Sequence, residues 1–452
     1  MPDVLHLKAE EIDTVEKRGK YHVCIVGCKQ QGVLYAVAFA EAGFKVVCVD
    51  ADQSLVRSLI KGRNGFLEQE LGSKYKNAVT SGILSFTDDL KSVVAQSDII
   101  VLSPMVKVDE KKTLDSSNVE NSCKQIGAMM QQGALVLYVG VVGFGFMEGV
   151  VKEKLESSSG FKAGDNFGLA YVQAQNGEWE GAVDAVDNQE LMIAANDRAS
   201  LDAASLVLSA ITKKKMKVTM SFRAAELATL FALARKDVSK ALTNELAVLC
   251  EKAQVDYIEI LKLLNVDLQG SDYVPGIDGQ KNKIGIHLLL ECAENLGAKL
   301  RLPELAEHVN DDMIKHAVNL TQATLRSCGK TLRRARIAVL GVTSAGTSSE
   351  AFVRMLEMKG VRIKLYDSRG VRNERSDSTY VSKRSVVEAV ENSDCIVVVT
   401  AEDQFKNLNL KNLRSVMRTP AAIVDLAGVF DSRRVESEGF IYRGLGRGFE
   451  RE

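Results

Sequence analysis

Proline is scarce. The 452 residues hold only five, Pro2, Pro104, Pro275, Pro303 and Pro420, well below the roughly 5% usual in globular chains. Net charge is also missing: 58 basic against 59 acidic side chains leave −1, so no overall field gathers phosphate backbones or an anionic membrane surface, and neither nucleic acid nor membrane is an expected partner. The eight cysteines (Cys24, Cys28, Cys48, Cys123, Cys250, Cys292, Cys328, Cys395) are single, and no CxxC pair marks a zinc site or a redox centre. Five histidines, His6, His22, His287, His308 and His316, lack ligand spacing, so no metal is expected. No apolar run reaches the about 18 residues of a membrane span, and the first twenty residues lack a signal peptide's apolar segment. Reduced thiols in a cytoplasmic protein are the expectation. Short-period repeats and low-complexity tracts are absent as well.

What is present is an ordinary globular composition, 46% hydrophobic and 26% charged. At roughly 100–200 residues per domain it predicts two to four domains. Tyr21 to Val26 (YHVCIV) is short, β-branched and apolar, the pattern of a strand buried on both faces. A glycine-bounded turn, a helical pattern closed by Gly43 and a second strand ending at Asp50 complete a βαβ unit. Strands at 98–102, 134–139 and 166–171 extend this to a parallel, doubly wound sheet over about 20–210. From about Ser221 to Leu264 a 3.6-residue period runs without Pro or Gly, predicting a long helix in a central helical region that serves as a subunit interface. Alternation returns at 336–341, 361–367, 394–400 and 421–428, so a second α/β domain follows. The expected division is 1–215, 216–325 and 326–452.

A dinucleotide-binding turn reads G-x-G-x-x-G, with glycines for the turn, the approach of the pyrophosphate and the helix packing. Here it reads Gly27-Cys28-Lys29-Gln30-Gln31-Gly32, with Lys29 at the middle glycine, and Asp50 stands where a carboxylate would take the ribose hydroxyls. Lys29 leaves two outcomes open: its ammonium reaches a phosphate as a point charge, or its Cβ obstructs the approach that glycine allows. Gly27, Lys29, Gly32, Asp50 and Ser103 are the candidate residues for NAD.

The order of these elements resembles the UDP-glucose/GDP-mannose dehydrogenase family of nucleotide-sugar dehydrogenases, over nearly the whole chain from Tyr21. The resemblance rests on the Gly27–Gly32 turn with Asp50, Ser103-Pro104, Ala225-Glu226-Leu227, Asn244-Glu245-Leu246, Pro275-Gly276, Asn310-Asp311-Asp312-Met313 and Gly444-Leu445-Gly446-Arg447. It implies two Rossmann-like domains joined by a helical dimerisation domain, NAD as cofactor and a nucleotide sugar as substrate. The family oxidises the C6 alcohol of a UDP-sugar in two hydride transfers, through a cysteine thiohemiacetal and thioester.

The residues for that chemistry are not in place. The resemblance puts Val141 at the family's Thr, no acid in Tyr171-Val172-Gln173-Ala174-Gln175, Thr229 and Leu233 at its Lys and Asn, and a shortened loop Pro275–Lys283 without a cysteine. The C-terminal segments Val342–Ser349 and Asp425–Gly428 lack its cations. Cys250 and Cys292 lie in apolar helical patterns, where a buried inert thiol is expected. Losing even one member of a nucleophile–oxyanion ensemble commonly costs about 10²–10⁴ in rate. The expectation is therefore no catalytic residue and a homologue acting as a scaffold, regulatory or partner subunit, as a homodimer through the central helix or a heteromer with an active relative. The alternative is an active NAD-dependent oxidoreductase with a non-standard site. The missing prolines fall in these loops, where Phe144, Gln173, Lys281 and Ala345 lie in or beside the family's proline positions.

Overall fold

The computed structural model describes residues 3–62, 72–103, 107–108, 114–174, 190–266, 274–277, 284–341, 347–367 and 380–448. These form two compact units, Met1–Leu233 with His287–Lys299 and Ala234–Ile286 with Leu300–Glu452.

The first unit is an eight-stranded sheet. In chain order its strands are β1 (His22–Val26), β2 (Lys45–Val49), β3 (Leu84–Thr87), β4 (Ile99–Leu102), β5 (Leu135–Val139), β6 (Gly168–Ala174), β7 (Leu191–Ala194) and β8 (Lys217–Thr219), arranged β8-β7-β6-β5-β4-β1-β2-β3. β4 and β5 are buried at every residue and β1 at all but its first, which explains their unbroken apolar runs. Helix α1 (Gln30–Glu41) buries nine consecutive residues from Gly32 to Ala40, and Gly43 ends the turn after it at φ 97°.

The parallel arrangement holds from β3 across to β6, whereas β7 runs antiparallel to β6, with Val172 opposite Ile193, and β8 is parallel to β7. The side-chain period of two is the same for both directions, so sequence alternation carries no sign of strand polarity. The short strands β3, β7 and β8 were not legible for a related reason, since three or four residues give too little alternation to count.

The long periodic stretch is one helix, α2 (Phe222–Ala253), of 32 residues, which contributes to both units. It stops short of the expected Leu264: Gln254 takes φ 60°, and Asp256 caps a separate helix α3 (Tyr257–Leu263) by accepting from the Ile258 N–H at 2.8 Å. A helix over 284–295 is followed by α4 (Arg301–Ser327), which carries Pro303 in its first turn, where no intrahelical donor is lost.

The second unit holds an all-parallel sheet of β9 (Arg336–Leu340), β10 (Arg362–Tyr366), β11 (Val381–Ser382), β12 (Cys395–Val398), β13 (Ala422–Asp425) and β14 (Ile441–Gly444) in the order β11-β10-β9-β12-β13-β14. That is the 3-2-1-4-5-6 order of doubly wound dinucleotide folds. Helix α5 (Ser348–Met358) follows β9, and α4 packs against β13, β14 and α5.

Candidate functional site

The five candidate residues of the first unit converge at the carboxyl ends of β1, β2 and β4, where the strand order reverses and ligands of this fold class sit. Gly27 leaves β1 at φ 103°, a conformation that favours glycine, and its N–H donates to the Val49 carbonyl at 2.8 Å. Gly32 lies in the first turn of α1, where a Cβ would stand 1.8 Å from the Gly27 carbonyl oxygen. Backbone meets backbone there, so only glycine fits. Lys29 at the α1 N-cap has extended backbone, φ −78° and ψ −176°, which any residue adopts, and its side chain is exposed.

Asp50, half-buried, ties the turn to β2. Its Oδ2 accepts from the Cys28 N–H at 2.8 Å and its Oδ1 from the Asp52 N–H at 3.0 Å. A carboxylate has about four acceptor positions, so capacity remains for a diol. Ser103 is buried beyond β4, its N–H donating to the Val26 carbonyl at 2.9 Å. The glycine-only approach of α1 to the turn, the helix N-terminus behind it and the acid at the end of β2 fit a dinucleotide.

Beside this edge, the segment 140–147 is held by Glu226. Glu226 is fully buried on α2, and its Oε2 accepts from the Gly145 N–H at 2.7 Å and its Oε1 from the Met147 N–H at 2.8 Å. Burial pushes its carboxyl above the ordinary value, against the lowering effect of those two bonds. An Arg223–Glu148 ion pair at 2.8 Å and the Arg223 guanidinium 5.8 Å from the Phe144 ring centre add a second tie. Thr229 and Leu233, one and two turns further along α2, are buried; the Thr229 hydroxyl donates to the Ala225 carbonyl at 3.0 Å and accepts from the Tyr171 hydroxyl at 3.4 Å. Cys292 is buried in the same unit and its thiol is pushed up by burial and by the field of Glu226, the opposite of what a nucleophile needs.

In the second unit, segments far apart in sequence are tied together. Asn244 on α2 accepts through Oδ1 from the Gly276 N–H at 3.0 Å and donates through Nδ2 to Asn310 Oδ1 at 3.1 Å; Asn310 donates to the Asp237 carbonyl, and Lys240 to the Val274 carbonyl at 2.8 Å. Gly446 donates to Glu251 at 2.9 Å, Arg447 pairs with Asp256, and His316 bonds Glu251 at 2.9 Å. Asp425 is buried with its carboxyl raised by desolvation, and accepts from the Ala427 and Phe430 N–H groups and the Tyr442 hydroxyl. At the end of β9, Gly341 has φ 85°, and Thr347 caps α5 by accepting from the Glu350 N–H. Pro104, Gln175, 278–283 and 342–346, which include Lys281 and Ala345, lie outside the described residues. Among the described residues no group of three or more His, Cys, Asp or Glu could hold a metal, and no helix is long and apolar enough to cross a membrane.

Sequence models of three domains of one family match this chain in order: the NAD binding domain of the UDP-glucose/GDP-mannose dehydrogenase family at 21–212, its central domain at 223–312 and its UDP binding domain at 345–432. The chain belongs to the UDP-glucose/GDP-mannose dehydrogenase family. A UDP-glucose 6-dehydrogenase of Rhizobium meliloti is 27% identical, covering 94% of this chain and 99% of its own length. A UDP-N-acetyl-D-mannosamine dehydrogenase of Pyrococcus horikoshii is 25% identical over the same shares. Among solved structures, a UDP-D-ManNAc dehydrogenase from Pyrococcus horikoshii superposes with a TM-score of 0.78 at 24% identity (94% and 99% of the two chains), and a UDP-glucose dehydrogenase from Pyrobaculum islandicum with 0.76 at 22% (94% and 98%).

Within this family member the framework segments picked out by resemblance act as ties. Asn244, Gly276 and Asn310 are one network, and Glu226, used in the sequence only as a landmark, is the buried clamp on segment 140–147. The acid itself was visible; its partners, about 80 residues away, were not.

Proposed function

We propose that this protein binds NAD but does not oxidise UDP-sugars, and works as a cytoplasmic scaffold, regulatory or partner subunit of a nucleotide-sugar pathway. The observation that carries this reading is the environment of positions three and seven beyond Glu226. The family's Lys and Asn are replaced there by a buried Thr229, whose hydroxyl is bonded back to its own helix, and a buried Leu233. Neither stabilises an oxyanion, which requires an aimed donor. Retention of NAD is supported by Gly27, Lys29, Gly32, Asp50 and Ser103 at one sheet edge, with the exclusive fit of glycine at 32. NAD would accept a hydride when bound; Gly27 makes the turn and Gly32 lets α1 pack against it, Lys29 would offer the pyrophosphate a charge, and Asp50 would take the ribose hydroxyls. A nucleotide sugar is the small-molecule ligand the family likeness supports, and the described cysteines are all free, as in a reducing cytoplasm. The reading keeps three functional segments, 1–215, 216–325 and 326–452.

Association through α2 belongs to the same proposal. Leu242, Leu246 and Leu249, at spacings of four and three, are 57%, 42% and 60% exposed. An apolar stripe of this kind supports a helix–helix contact between two copies, or with an active relative. Leu249→Glu is expected to convert a dimer to monomer at micromolar concentration in a light-scattering measurement, with unchanged helicity; a wild-type protein that is already monomeric contradicts the homodimer.

The activity is tested by calorimetric titration with NAD, followed by NADH absorbance with UDP-glucose and UDP-N-acetyl sugars. Binding of NAD without turnover is expected. Sustained NADH production with any UDP-sugar overturns the proposal in favour of an active oxidoreductase with a non-standard site, and absence of NAD binding removes the cofactor from it.

A further inference from the structure

The strands of the second sheet begin among cations. Lys330, Arg333, Arg334 and Arg336 lead into β9, Lys359 and Arg362 into β10, and Arg418 stands in the turn before β13. Pairing brings the first two segments side by side. The Arg334 N–H donates to the Gly360 carbonyl and the Arg362 N–H to the Ala335 carbonyl, each at 2.8 Å, and Arg336 lies opposite Arg362 in the parallel ladder. Residues in register point to the same face, and adjacent strands are about 4.8 Å apart, so Arg336 and Arg362 share one surface. Arg333 borders it, its Cγ 3.4 Å from where a Cβ on Gly360 would stand.

Lys330 and Arg418 are taken up by the buried Asp394 carboxylate, at 3.0 and 3.6 Å. Arg333, Arg334, Lys359 and Arg362 are exposed and Arg336 is half-buried; among the described residues none of these five forms an ion pair. Glu357 is half-buried at the end of α5 and Glu391 is exposed before β12, too few acids to neutralise the edge. The backbone adds a second observation. Arg334 takes φ 66°, a left-handed conformation that glycine adopts without strain and arginine does not. Its exposed side chain gains neither packing nor an ion pair in return, so its use lies outside the fold.

We propose that this edge is a docking surface for an acidic peptide segment of a partner protein, held by Arg333, Arg334, Arg336 and Arg362. A guanidinium meets a carboxylate through two parallel bonds, and clustered arginines favour a run of acids over a single one. The stretches 330–336 and 358–364 hold no aromatic side chain, the stacking platform that single-stranded nucleic acid uses. Binding a duplex takes a stripe of about six to ten phosphate contacts, whereas these arginines lie on two adjacent strands. Met358, 79% exposed beside Lys359, offers an apolar contact to a peptide and falls short of the apolar face that membrane-surface binding needs. The proposal goes beyond the cofactor reading and stands whether or not NAD binds, because the surface is at the amino ends of the strands of the second unit, away from the carboxyl ends at which ligands of this fold class sit.

The test titrates the full-length protein with fluorescently labelled hexaglutamate, whose six extended residues reach about 20 Å. A mixed-sequence single-stranded DNA and phosphatidylserine-containing vesicles are the rival probes. Hexaglutamate is expected to bind at low salt, to weaken at least about fivefold as salt rises to about 0.3 M, and to bind tighter than either rival. Arg334→Gly/Arg362→Ala is expected to lose at least about tenfold in peptide affinity with unchanged circular dichroism. Lys214→Ala/Lys215→Ala, in a basic cluster elsewhere, leaves the affinity unchanged. Arg334→Gly alone weakens the peptide several-fold while holding or raising the melting midpoint, because glycine relieves the left-handed backbone. Absence of peptide binding overturns the proposal, as do equal affinity in the arginine double variant, an equal loss in the lysine variant, and tighter binding of DNA or vesicles. A lowered midpoint in Arg334→Gly also overturns it, since Arg334 would then serve the fold. No readout involves NAD, so failure here and failure of the cofactor reading are told apart.

Discussion

Gly32→Val is expected to unfold the first unit or to leave it without the proposed dinucleotide site. Its Cβ would stand 1.8 Å from the Gly27 carbonyl oxygen and 3.0 Å from the Gly27 carbonyl carbon. Both atoms are backbone, so no rotamer change relieves the contact; α1 must move away from β1 or the turn must rebuild. Overpacking of this kind costs about 3 kcal/mol or more, a fall of roughly 6–12 °C in the melting midpoint for a unit of this size. Calorimetry and NAD titration check it. A variant with the wild-type midpoint and NAD affinity would show that the close approach of α1 to the turn is not required. Lys29→Ala, in contrast, leaves the fold unchanged, because the backbone there is extended and the side chain is exposed.

Glu226→Ala is expected to cost about 3 kcal/mol in urea denaturation, since it strands the N–H groups of half-buried Gly145 and buried Met147, an unmet buried donor carrying a penalty of about 1–3 kcal/mol. Part of the loss is relieved if water enters the space. Glu226→Gln adds a pH signature. Burial raises the folded carboxyl above its ordinary 4.5, so between that value and the raised one the folded chain holds a proton that the unfolded chain has released. The contribution of the carboxyl is therefore fully present below about pH 4.5 and lost as pH rises through the raised folded value. A glutamine does not titrate. The wild-type stability minus that of Glu226→Gln should fall with rising pH over this window and level off above it. A difference that rises with pH would mean that the two N–H bonds outweigh burial and that the folded value is depressed.

Both predictions concern loops rather than chemistry, and that is where the scarcity of proline leads. In the segment 140–147 the backbone is shaped by Gly140 at φ 142° and Gly145 at φ 77°, and fixed by the Glu226 clamp. Proline, with φ near −65° and no N–H, could occupy neither glycine position and could not donate to Glu226 from 145 or 147.

The sequence by itself determined the central buried strands of the two sheets, the long helix and the edge at which the candidate residues gather. Those features follow from periodicity and from short glycine-bounded turns, in which each residue's constraint is local. The acid at Asp50 and the outer glycines were legible because the geometry of one βα turn is set within about 25 residues. Tertiary structure alone decided the polarity of β7, the end of α2 at Gln254, the clamp by Glu226 and the Asn244–Gly276–Asn310 tie. The tertiary contacts join residues 20 to about 80 positions apart. Their side chains meet because strands and helices are stacked in layers, and no pattern along the chain records which residue of one layer faces which of the next.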